Sequence, residues 1–126
     1  MGNLISILDE IIAGINEITG LQCFSEMPDG SFQLPMIIIS ERSNDTNTMS
    51  FSGSMEVASV SYEITIYSND VEDIFELQEF IDGYFKTEIK RFKSSASNIQ
   101  QRHPIYYRTL SYSGQIKRQN DKLYIL

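Results

Sequence analysis

Apolar residues recur in two distinct periods along this chain. Leu4, Ile5, Leu8, Ile11, Ile12, Ile15 and Ile18 follow the three-to-four spacing of one helix face, with Asp9, Glu10, Asn16 and Glu17 between them. The spacing predicts an amphipathic helix from Asn3 to Thr19, with Asn3 a candidate N-cap and Gly20 a stop. A connector follows, with room for a short strand from Leu21 to Phe24 and a turn at Pro28-Asp29-Gly30-Ser31. Leu34-Pro35-Met36-Ile37-Ile38-Ile39-Ser40 is almost wholly apolar, as in strands buried on both faces. From Val57 to Tyr67 the period changes to two. Ala58, Val60, Tyr62, Ile64 and Ile66 share a core face, and Val57, Ser59, Ser61, Glu63, Thr65 and Tyr67 share the other.

A second helix is predicted from Asn69 to Tyr84, capped by Asn69 or Asp70, with Glu72 and Asp73 at the positive end of its dipole. Its apolar stripe of Val71, Ile74, Phe75, Gln78, Ile81 and Phe85, widened by Leu77, Phe80 and Tyr84, is broad enough for two packing surfaces. Gly83 predicts fraying by Lys86. Thr87 to Ser94 is a candidate strand, Ser94 to Asn98 a polar turn, and Gln100 to Pro104 a loop. Ile105 to Arg118 reads as a long strand, with Tyr106, Arg108, Leu110, Tyr112, Gly114 and Ile116 on one face. A turn at Gln119-Asn120-Asp121 leads into a last strand from Lys122 to Leu126, closing a hairpin.

One stretch fits neither period. Glu41 to Ser54 is rich in Ser, Asn, Asp, Thr and Gly, with only Met49 and Phe51 apolar. It reads as a long loop or the tip of a hairpin, and loops of this length in compact domains are commonly functional. The order is therefore helix, strand, polar loop, strand, helix and three strands. That is an α+β domain: a mostly antiparallel β-sheet with two main helices packed on one face and a long polar hairpin loop.

The 126 residues make one domain with one core. The net charge of −7 disfavours a general grip on nucleic acid. The charge is uneven: acids dominate up to Glu79. From Lys86 to Lys122, nine Lys and Arg residues stand against Glu88 and Asp121. Such a chain is able to pair with copies of itself, though an unevenly charged solvated surface accounts for the pattern equally well. The single cysteine, Cys23, excludes an intramolecular disulfide, fits a reducing compartment and reads as a small apolar filler. The N-terminal segment does not read as a signal peptide, and no apolar run approaches the ~20 residues that span a membrane.

Candidate chemistry is sparse. His103 is the only histidine and lies in a polar stretch before Pro104, where a surface-loop role is the simplest reading. One Cys and one His far apart do not make a zinc site, and Glu72, Asp73 and Glu76 read as solvated helix charges. There is no phosphate-binding loop, dinucleotide fingerprint or Gly-x-Ser-x-Gly elbow. No catalytic, metal or cofactor residue is assigned. Tyr62, Tyr67, Tyr106, Tyr107 and Tyr112 read as core and interface aromatics rather than a base-stacking platform.

The order of elements carries a resemblance. The residues are Leu34-Pro35-Met36-Ile37-Ile38-Ile39, then Ser61-Tyr62-Glu63-Ile64-Thr65-Ile66-Tyr67, an acidic helix with Ile81-Asp82, Tyr107-Arg108-Thr109-Leu110-Ser111-Tyr112-Ser113-Gly114, and Leu123-Tyr124-Ile125. Over nearly its full length the chain resembles the small tail-terminator and tail-completion proteins of tailed bacteriophages, prophages and phage-tail-like particles. The resemblance implies a homo-oligomeric ring, typically a hexamer, that caps the tail tube and joins it to a head-side connector protein. It implies assembly in the bacterial cytoplasm and residence in the virion tail, with no enzyme activity, metal or cofactor.

On this reading the candidate interface residues fall in three groups. Asn44, Asp45, Asn47, Met49 and Phe51 belong to the polar loop, which would contact the tube or connector. Glu63 stands mid-strand, where the sheet meets water or another subunit. Arg108, Lys117 and Arg118 would meet the acidic half of a neighbour, and Tyr124 lies on an edge strand able to recruit one. The alternative from another class is a small binding module that holds a peptide or small ligand on its sheet. An enzyme would require His103 beside a carboxylate in a pocket.

Overall fold

The computed structural model describes residues 6–30, 33–51, 53–119 and 122–126, with side chains outside 46–55 and 119–122. Helix α1 (Leu8–Thr19) ends as its sequence requires: Gly20 takes the left-handed conformation at φ 73° and its N–H bonds the Asn16 carbonyl at 2.9 Å. It begins later than the periodicity predicts. The Ser6 hydroxyl accepts from the Leu8 N–H at 3.1 Å and donates to Glu41 Oε1 at 3.0 Å, while the Ile7 N–H donates to the Tyr62 hydroxyl at 3.1 Å. These bonds give the first amides partners outside a helix. The expected cap, Asn3, lies outside the described residues.

The connector after α1 forms no strand at Leu21 to Phe24. It touches the sheet through one parallel bridge, in which Phe24 bonds Ile37 and Ile39 at 3.0 and 2.8 Å. Strands β1 (Met36–Phe51) and β2 (Gly53–Ser68) then form one antiparallel hairpin, in register from Met36↔Tyr67 to Phe51↔Gly53. The polar stretch is thus the far part of this hairpin and not an irregular loop. Its strand character comes from backbone pairing on both sides of β2, because the fifth strand follows β2 out as far as Met55. A register shift between Glu41 and Ser43 marks a bulge at Arg42. Ile37 and Ile39 are fully buried against the helices; Ile38, on the opposite face, is only half-buried.

Helix α2 (Val71–Tyr84) starts at Asp70, whose carboxylate accepts from the Glu72 N–H at 3.0 Å. The fully buried Ser68 hydroxyl supports this cap, accepting from the Asp70 N–H and donating to Asp73. The helix does not fray at Lys86. It widens into a π-helical turn, Phe85–Ile89, where Phe85 stacks on Tyr112 with centroids 3.8 Å apart and Ile89 is also buried. The chain leaves this turn through Lys90 and Arg91, both at positive φ (59° and 57°), which costs about 1–2 kcal/mol per residue for an L side chain.

The remaining strands are β3 (Lys93–Ala96), β4 (Gln100–Arg102), β5 (Ile105–Gln119) and β6 (Lys122–Ile125). The predicted strand from Thr87 is therefore the π turn followed by β3. The predicted turn from Ser94 and loop from Gln100 both contain strand. The cause is β5, whose 15 residues offer one long edge on which the polar segments β3 and β4 pair, beside the more apolar β6. The result is a six-stranded antiparallel sheet ordered β1-β2-β5-β3, with β4 and β6 also on β5. Both helices pack against it. The core-face residues Ala58, Val60, Tyr62, Ile64 and Ile66 on β2 and Leu110, Tyr112 and Ile116 on β5 are all buried there, as the alternation predicts.

Two glycines hold the layers together. A Cβ on Gly14 would fall 2.6 Å from the Tyr84 hydroxyl oxygen and closer still to the ring. Tyr84 uses this gap to cross α1 and donate to the Glu10 carbonyl at 3.2 Å. On β5, Gly114 leaves space for Phe92, whose Cγ would lie 2.9 Å from an added Cβ. Gly83, by contrast, is surrounded by open space. Gly14→Ala is expected to destabilise the chain by about 1–3 kcal/mol through overpacking. Gly83→Ala is expected to stabilise it by about 0.5–1 kcal/mol through helix propensity. Chemical denaturation of both variants checks the pair; equal effects would contradict the helix–helix contact.

Candidate interaction surfaces

The sheet is open. β1 has β2 on one side and, on the other, only the Phe24 bridge near Ile38; β3, β4 and β6 each pair with β5 alone among the described residues. The β1 edge carries the bulge at Arg42, a common protection against unwanted strand pairing. β6 is only four residues long and, among the described residues, has no strand on its outer side. It presents Leu123, Tyr124 and the adjacent Leu126, exposed at 42%, 45% and 39%.

The face of the sheet away from the helices is rich in hydroxyls. Ser43 and Ser61 share a hydrogen bond at 2.7 Å, Thr65 and Thr109 one at 3.1 Å, and Gln115 donates to Ser59 at 3.3 Å. Glu63 stands on this face and pairs with Arg42 at 3.3 Å, both partly exposed. At one end of the face, Met36, Tyr67 and Tyr107 fall in one cross-strand row, the tyrosine rings 5.7 Å apart. With Met27, Arg102, His103, Pro104 and Ile105 they line a largely apolar cleft of about 490 Å³. Among the described residues the cleft lining contains His103 but no carboxylate. Among the described residues no group of three or more His, Cys, Asp or Glu is placed to hold a metal, and no helix is long and apolar enough to cross a membrane.

The structure spreads the predicted interface residues over several regions. Asn44 is half-buried and donates to Glu41 at 3.3 Å, while Asp45 is exposed on the hydroxyl-bearing face. Asn47, Met49 and Phe51 lie on the far part of β1, opposite Val57, Met55 and Gly53; their side chains are outside the description. Lys117 and Tyr124 are cross-strand neighbours, with Nζ 5.2 Å from the ring centroid. Arg118 pairs with Glu56 across β2 and β5. Arg108 stands apart on the helix side, bonding the Ser97 carbonyl at 2.8 Å and Gln78 at 2.7 Å, with Phe75 at 5.8 Å. Arg108 and Arg118, expected to meet a neighbour's acids, are thus engaged within their own chain.

Two features escaped the sequence reading. Lys86, Lys90, Arg91 and Lys93 are exposed around the π turn and make no ion pair among the described residues. On α2, Phe75 and Phe80 are 51% and 41% exposed, so the second half of the broad apolar stripe stays largely open, with Arg108 flanking it at Phe75. The stripe's width was visible in the sequence; that one side remains open was not.

Buried titratable groups are structural. Burial raises the Cys23 thiol from 9.0 to about 12, and raises the Tyr62 hydroxyl to about 12. Burial and the hydrogen bond to Asp82 push Tyr112 up further. A protein-family scan and a search of curated proteins return no match to this chain.

The thiol yields a pH expectation. Its folded value lies above its unfolded one, so its share of stability is whole below pH 9.0 and is lost as pH rises toward 12. Alkylation kinetics check the placement: Cys23 is expected to resist reagent at mildly alkaline pH in the native chain and to react fully in denaturant. Fast native-state labelling would contradict it.

Proposed function

We propose that this chain is a structural tail-terminator or tail-completion protein of a tailed bacteriophage, prophage or phage-tail-like particle. It acts as a ring subunit, six copies being the favoured number, that caps the tail tube and contributes to joining it to a head-side connector. It assembles in the bacterial cytoplasm and remains in the virion tail. The observation that carries this reading is β6: a short strand on an open edge with three exposed apolar side chains beside it. An edge of this kind recruits a second backbone, and closed rotational symmetry gives every copy the same partner. The resemblance in element order supplies the identity of the assembly. The two long strands β1 and β2 reach out to a polar far end bearing Asn47, Met49 and Phe51, available to the tube or connector.

A second reading has its own observation. The tyrosine cleft is concave and apolar with a cationic rim, as a peptide- or ligand-binding module requires.

Mixing the purified chain with purified tail tubes separates the two. The terminator reading expects rings at tube ends by electron microscopy and an arrest of tube growth. Tyr124→Ala is expected to weaken ring formation about tenfold or more, since a buried aromatic at an interface commonly contributes over 1 kcal/mol. No tube binding, together with saturable peptide binding abolished by Tyr67→Ala, would favour the module.

A further inference from the structure

The outer ridge of α2 has one apolar and one acidic component. Glu72, Phe75, Glu76, Glu79 and Phe80 follow i, i+3, i+4, i+7, i+8 and are all exposed. The three carboxylates make no ion pair among the described residues. Arg108 flanks the ridge at Phe75, but its guanidinium is already bonded to Ser97 and Gln78.

The same chain carries a predominantly basic cluster. Lys86, Lys90, Arg91 and Lys93 surround the exit of the π turn, with the exposed Glu88 among them. Lys90 and Arg91 are held there at positive φ, between the buried Ile89 and the partly buried Phe92 that pack on the core at either side. The basic turn also adjoins the proposed edge: Arg91, Lys93 and Leu126 line one shallow pocket, and the Leu126 N–H bonds the Gln115 carbonyl at 2.9 Å in the space between β3 and β6.

We infer that the Glu–Phe ridge of α2 is the docking surface for the basic turn of a second copy of this chain. The inferred contact is heterologous, each copy's ridge meeting the next copy's turn, an arrangement that builds a ring where the rotation closes. Charge complementarity sets its register, and the two phenylalanines supply apolar area against the lysine and arginine stems and the Leu126 end of the edge. This inference rests on the ring reading above and names the surfaces that the ring would use.

The test is charge reversal with mixing. One variant reverses the ridge (Glu76→Lys with Glu79→Lys), and a second reverses the turn (Lys90→Glu with Arg91→Glu). Sedimentation of each alone is expected to show self-association weakened by about tenfold or more, from like charges brought together. A one-to-one mixture is expected to recover it, because each reversed ridge then meets a reversed turn. Misfolded variants could not rescue each other, so recovery also certifies folding. Association that survives both reversals, or that is lost and not recovered on mixing, overturns the inference and leaves a ring built through another surface intact. A wild-type chain that stays monomeric at about 1 mM, where a contact of about 4 kcal/mol is half-formed, also overturns it; the tube-binding assay then decides the ring reading separately.

Discussion

The stack of Phe85 on Tyr112, parallel within 1°, fixes where the helical layer ends on the sheet. Tyr112 sits mid-β5 with its hydroxyl bonded to Asp82 of α2, so one residue ties strand, helix and π turn together. Phe92 extends the cluster, lying 6.2 Å from Phe85 and stacked at 6.4 Å on Tyr62 above the gap that Gly114 provides. Between the anchored Ile89 and Phe92 there are only two residues, and they accept an unfavourable backbone conformation. Packing of several buried aromatics outweighs a cost of a few kcal/mol. The consequence is positional: cations are displayed at one corner of the molecule, and β3 is delivered to the edge of β5.

Placement of the other charges follows the same logic. Glu72 and Asp73 occupy the first turn of α2, where the helix dipole favours them, while Glu76, Glu79 and Asp82 continue the acidic run along the helix. Lys86, Lys90, Arg91 and Lys93 follow beyond its end, with Glu88 among them. The buried thiol and tyrosine hydroxyls are held protonated by desolvation, and the one histidine lines the tyrosine cleft beside Arg102. The fold also exposes a strand edge, an aromatic ridge on α2 and charge.

Much of this architecture was legible in the sequence because periodicity reports burial. The alternation on β2 and the Gly20 stop were correctly read from local pattern alone; of the two caps the sequence offered, Asn69 and Asp70, Asp70 is the one used. The polar residues from Glu41 to Ser54 were ambiguous for a physical reason: their strand structure is conferred by pairing with distant residues, which composition does not record. The same applies to Lys93–Ala96 and Gln100–Arg102, polar segments made into strands by β5. The candidate interface was less legible still. Arg108 and Arg118 looked available, yet Gln78, Ser97 and Glu56 engage them across 30, 11 and 62 residues of separation. The basic run from Lys86 was visible, but nothing local distinguishes Lys86, Lys90, Arg91 and Lys93, which make no ion pair among the described residues, from the engaged Arg118.

The central claim is that this chain is an assembly subunit, and its solution mass tests that most directly. Light scattering after size exclusion, over a range of concentration and salt and with tail tubes present and absent, should give a species of several 14.4 kDa subunits. The account predicts a mass near a closed ring of six, favoured by low salt or by added tubes. A chain that remains a 14.4 kDa monomer under every condition, tubes included, would contradict it.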